Sequence, residues 1–182
     1  MTTLKLDDEI RKFWEWFSAS QCAILDAVRE RTASWLSLNL APRLRATQED
    51  SPFPRLNWEL GKGEHRKWSF IVSPTVKENI VLAERIIAGC PQSTEWEFHV
   101  GRQAKPNWDF QLSLPDESGR ELRIDASEWH YIIKRTDAGA YVLFVANSLG
   151  AFSEQLKTKV AYLILDHSVG EMFVISKRTA AP

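Results

Sequence analysis

Ile10, Phe13, Phe17, Ile24, Val28 and Trp35 recur at steps of three, four and seven residues. That spacing places them on one face of a helix from about Asp7 to Leu38. Trp14 and Leu25 widen the stripe, while Trp16 stands off it. Asp7 or Asp8 caps the start, where an acid also suits the helix dipole. A helix this long holds only if the apolar face is covered by a sheet or another chain. Pro42 begins a short helix through Gln48, and Ser51-Pro-Phe-Pro54 forces an extended link. The boundary between a helical arm, 1–54, and an α+β body, 55–182, is placed here, within one cooperative unit.

The body alternates differently. Leu56 to Leu60 and Lys67 to Val72 read as strands around the turn Gly61-Lys-Gly-Glu-His65. After Pro74, Thr75 and Glu78 have the spacing of a capping box. Val76, Ile80, Ala83 and Ile87 then form a helical stripe that Gly89 and Pro91 end. In Glu95 to Val100, Trp96, Phe98 and Val100 share one face, and Glu95, Glu97 and His99 share the other. Asp109 to Leu114, Glu121 to Ala126, Trp129 to Arg135 and Tyr141 to Ala146 read as further strands. The run Tyr-Val-Leu-Phe-Val-Ala is apolar on both faces, the pattern of a central strand. A last helix runs from about Ser153 to Ser168, Gly170 closes it, and Met172 to Ser176 reads as a short strand. This order predicts the α+β class: a long N-terminal helix packed with a mostly antiparallel sheet and two further helices.

Composition narrows the function classes. A chain of 182 residues is large enough to form a core without disulfides or metals. The net charge of −1 lacks the basic excess of most nucleic-acid or anionic-membrane binders. The first residues lack the apolar run of a signal peptide, and no stretch is long and apolar enough to span a bilayer, so the expected location is cytoplasmic. Cys22 and Cys90 have no CxxC partner and are expected to be buried, reduced thiols.

Candidate chemistry is sparse. His65, His99, His130 and His167 form no pair with ligand spacing, so no metal or cofactor is expected. The row Glu95, Glu97 and His99 has the types for a metal but reads as a solvated strand face. Gly61-Lys-Gly63 is too short for a phosphate loop and reads as a hairpin turn. If Glu121–Ala126 and Trp129–Arg135 pair through Ser127-Glu128, Asp125 lies opposite His130, half of an acid–base device. Asp125, Glu128 and His130 are therefore the catalytic candidates of a hydrolase. Arg102, Lys105 and Trp108 bring cationic and aromatic groups together, the pairing used for single-stranded nucleic acid. Asp166 and Glu171 flank Gly170 and are expected to stay solvated or bind nearby cations.

Four stretches together carry a resemblance: Phe13-Trp-Glu-Trp-Phe17, Phe70-Ile-Val-Ser-Pro74, Ala88-Gly-Cys-Pro91 with Trp96-Glu-Phe98, and Leu163-Ile-Leu-Asp-His-Ser-Val-Gly-Glu171. The chain resembles an uncharacterised bacterial protein family, some members of which carry a neighbouring domain similar to the regulator of ribonuclease E activity, type B. The resemblance implies a bacterial cytoplasmic protein and brings no catalytic residues. From Lys105 to Gly139 the chain departs from it.

Eight tryptophans without assembled chemistry favour a non-enzymatic protein-binding module, of which a regulatory or immunity protein is one form. Trp is over-represented among interface hot spots, and Trp16 is the aromatic expected to stay exposed. Trp108, Arg102 and Lys105 are the other binding candidates. The alternatives are the hydrolase and the single-strand binder.

Overall fold

The computed structural model describes all residues except 1, 2, 31, 50, 116, 117, 137, 138, 147–149, 151 and 178–182. The fold is α+β, with five helices and three small, mostly antiparallel sheets among the described residues. The chain groups into two compact units, Met1–Arg102 and Gln103–Pro182. The helical segment 1–54 and the first strands lie in one unit, and the compact division comes at Arg102.

In the first unit the stripe folds as read, but the helix is broken. α1 spans Thr3–Arg29 and α2 spans Ala33–Ala46. The expected single helix to Leu38 is thus two, and Pro42 lies inside α2 rather than at a helix start. The Thr32 amide donates to Ala27 O at 2.8 Å, closing α1, and the Trp35 amide donates to Thr32 O at 3.0 Å, opening α2.

Strands β1 (Asn57–Lys62) and β2 (Trp68–Ser73) form an antiparallel hairpin. β3 (Trp96–Val100) lies parallel to β2 on its other side. A parallel neighbour needs a crossover; a 3-10 turn at Lys77–Asn79 and helix α3 (Ile80–Ala88) supply it. The capping box does not form. Thr75 has φ +63°, not the extended backbone an N-cap needs, and its hydroxyl donates to Arg55 O at 3.2 Å. Asn79 ties this corner instead: its buried amide donates to Pro54 O at 2.6 Å and Pro74 O at 3.0 Å.

The core of this unit is aromatic. Phe13, Trp14 and Phe17 of α1 meet Phe70 of β2 and Trp96 of β3. Trp14 places its indole N–H on Ile86 O at 2.7 Å, so a buried polar handle is satisfied. Cys22, expected to be buried, is exposed; Cys90 is half-buried, and burial pushes its thiol up.

In the second unit, β4 (Gln111–Pro115) pairs antiparallel with β5 (Glu121–Asp125). Leu112, Leu114 and Ile124 pack with Leu156, Val160 and Ile164 of α4 (Glu154–Val169). Ser153 caps α4, accepting the Leu156 amide at 3.2 Å. Met172 to Ser176 is not a strand: α5 spans Glu171–Lys177 and follows α4 after Gly170 (φ +87°). Asp166 and Glu171 are buried, not solvated. β6 (His130–Thr136) and β7 (Gly139–Val145) form a separate two-stranded ribbon. The run expected as a central strand therefore has one strand neighbour among the described residues.

Candidate functional site

The candidate residues fall at several places in the two units. Trp16 is half-buried against the core rather than free. The turn from α1 into α2 brings the Arg43 guanidinium to 4.5 Å from the centre of its ring, a cation–π contact. Arg43 is held there by its bond to Asn39 O at 2.6 Å. Off the main stripe, Trp16 is covered by α2, a helix that Pro42 disguises in the sequence. Trp16→Ala should destabilise the first unit by about 2 kcal/mol, less than a fully buried Trp would cost. Chemical denaturation checks this; an unchanged midpoint would restore Trp16 as a free surface aromatic.

Arg102 belongs to the first unit and pairs with Glu59. Lys105 and Trp108 belong to the second. The Lys105 amide donates to His167 O at 2.7 Å, and the Trp108 ring stacks on His167 at 4.8 Å. Phe110 lies 4.9 Å from the same indole. His167 is fixed in turn by a 2.7 Å contact from Nδ1 to Leu163 O. An indole with one face on an imidazole is spent on packing, and the guanidinium meant to flank it is paired with an acid.

Asp125, Glu128 and His130 line one recess of about 520 Å³ with Ser127, Trp129, Val145 and Ala146. They do not meet as paired strands, because β5 pairs with β4 and β6 with β7. The Asp125 carboxylate folds onto its own turn, accepting the Ser127 amide at 2.9 Å. The Ser127 hydroxyl and amide, with Gln111, hold its carboxyl below the usual range. No hydrogen bond or ion pair links any two of the three. The recess holds a fixed carboxylate and an imidazole beside each other without the base–orienter bond that activates a nucleophile.

A larger recess, about 840 Å³, lies between α1 and the end of α3. Its charged rim is paired already: Asp7 with Arg85 at 2.7 Å and Arg11 with Glu15 at 2.6 Å.

Glu97 is the residue the sequence does not announce. Its carboxylate accepts the amides of Glu64, His65 and Arg66 at 2.7, 2.9 and 3.2 Å. His99 Nε2 lies 3.4 Å away. Three successive amides converging on one anion form a nest. Burial pushes the Glu97 carboxyl up, but the Glu64 and His65 amides and His99 outweigh it, and its pKa is lowered. The pattern of Glu95, Glu97 and His99 on one face folds as read, yet Glu97 is committed to the β1–β2 turn. Among the described residues no group of three His, Cys, Asp or Glu side chains is placed to hold a metal. No helix among them is long and apolar enough to cross a membrane.

Among the described residues, the exposed large apolar side chains that lie on strands are all on the β6–β7 ribbon. Tyr131 is 65% exposed and Ile132 56%. Val142 and Val145 on β7 are exposed as well. Phe144, opposite Tyr131 in the register, is half-buried against the core of this unit. No family model, curated protein or solved structure matches the chain.

Proposed function

We propose that this chain is a protein-binding module and that the β6–β7 ribbon is its contact surface. The observation that carries the reading is the exposure of Tyr131 and Ile132. Adjacent residues of a strand point to opposite faces, so both faces of the ribbon present large apolar side chains to solvent. Large apolar side chains gathered in the open on one ribbon are the kind of surface that marks interaction sites. The hydrolase reading rests on the recess of Asp125, Glu128 and His130, whose parts lie together but are not coupled. The nucleic-acid reading loses support because the Trp108 ring stacks on His167 and Arg102 pairs with Glu59.

The reading is tested by capture with the purified chain and its Tyr131→Ser and Ile132→Ser variants. The wild type should retain a protein partner, identified by mass spectrometry. Each variant should weaken capture about fivefold or more with an unchanged unfolding midpoint. Equal capture by all three proteins, or turnover of a substrate abolished by His130→Ala, would count against it.

A further inference from the structure

We infer that two copies of this chain pair through β7, edge to edge and antiparallel, about a two-fold axis at Val142. The inference rests on the protein-binding reading and names the partner as a second copy. β7 is hydrogen-bonded to β6 along its whole length, Gly139 to Val145, in seven consecutive pairs without a bulge. Among the described residues its other edge has no strand neighbour. Every second residue of an antiparallel edge strand turns its N–H and C=O outward. Natural edges are blunted by charge, proline or bulges. β7 reads Gly-Ala-Tyr-Val-Leu-Phe-Val and has none of these, whereas β6 carries His130, Lys134 and Arg135. A two-stranded ribbon is marginal alone, and two copies joined through β7 give a four-stranded sheet in the order β6-β7-β7-β6.

Three features select a second copy over an unrelated strand. An isologous contact needs a surface that complements itself, and an uncharged apolar strand does so without setting like charges opposite each other. β7 offers no charge by which a different partner would be chosen. The net charge of −1 leaves little long-range repulsion between copies. Val142 is the fourth of seven residues, so a symmetric pairing sets it opposite Val142 of the other copy.

The test is sedimentation equilibrium of the full chain and of Val142→Lys and Val142→Glu. The wild type is expected to dimerise with concentration. Each variant alone should dimerise about tenfold more weakly or worse, having lost an apolar cross-strand pair and gained a like-charge one. The equimolar mixture should recover the dimer, since lysine then faces glutamate. Should both variants fail to fold by circular dichroism, Val142→Cys in a Cys22→Ser background decides. Mild oxidation should cross-link it into a dimer through residue 142. A wild type that stays monomeric, a dimer that both charged variants retain, a mixture that does not recover, or no cross-link would overturn the pairing. Capture of a different protein that the Tyr131 and Ile132 variants lose, by a wild type that stays monomeric, would keep the protein-binding reading and overturn this pairing alone.

Discussion

Phe17→Ala should cost the first unit about 3–5 kcal/mol, the range for deleting a buried aromatic ring. Phe17 is fully buried on α1. Its ring lies 5.4 Å from Trp14, 5.2 Å from both Phe70 and Trp96, and 5.8 Å from Phe98. It is the point where the helix meets both β2 and β3. Removing it opens a cavity walled by four rigid rings, which relax poorly into the space. Domains of this size are stable by only about 5–15 kcal/mol, so this one ring decides whether the unit is folded at moderate temperature. Urea denaturation followed by tryptophan fluorescence measures the loss as a lower midpoint at unchanged slope. Phe17→Leu keeps most of the volume and should lose less than half as much. A loss under about 1 kcal/mol for Phe17→Ala would show that the aromatic cluster does not hold α1 on the sheet.

The α1 stripe was legible because helical periodicity is a local property, and the residues at those steps are the ones the sheet covers. The strands were legible for the same reason, with ends shifted by a residue or two. What failed had no local signal. Nothing from Arg29 to Thr32 reads as a stop, so the break between α1 and α2 was invisible, and Pro42 pointed to a helix start instead of an interior. The bounds of α2, whose Arg43 lies over Trp16, were not legible for that reason. Met172 to Ser176 is a short apolar run, for which helix and strand cannot be told apart by period. Asp166 and Glu171 read as solvated because acids usually are; their burial is a tertiary property with no local signal. Asp125, Glu128 and His130 were legible as neighbours around Ser127-Glu128, but the pairing of the two flanking strands that would set Asp125 opposite His130 does not form, since strand pairing is not written in the strands themselves. β7 is the instructive case. Its pattern suits neighbours on both sides, and the described residues supply one.

The carboxylate of Glu97 should stabilise the β1–β2 turn by about 2–3 kcal/mol, and Glu97→Gln should remove most of that. Three amides aim at it, and a glutamine side chain offers one oxygen and turns an NH₂ group toward donors. The side chain is only 10% exposed, so water replaces the lost acceptor poorly. The sign with pH follows from the lowered pKa. On acidification the unfolded chain protonates Glu97 first, so the folded state binds fewer protons there. The stabilisation is complete above the unfolded pKa and is lost as pH falls through the folded one. The stability gap between wild type and Glu97→Gln should therefore be widest near neutrality and shrink below about pH 5. Measuring both in a His99→Gln background leaves one titrating group in the pair. Gly63 offers an independent handle on the same contact. A Cβ there would run into the Arg66 carbonyl and lie 2.9 Å from Glu97 Cδ, so Gly63→Ala must push the turn off the carboxylate. Two changes that break one contact do not add. The double variant Gly63→Ala/Glu97→Gln should lose less than the sum of the singles. Full additivity, or a gap that stays constant with pH, would show that the turn is held by its own hydrogen bonds and that the Glu97 charge is incidental.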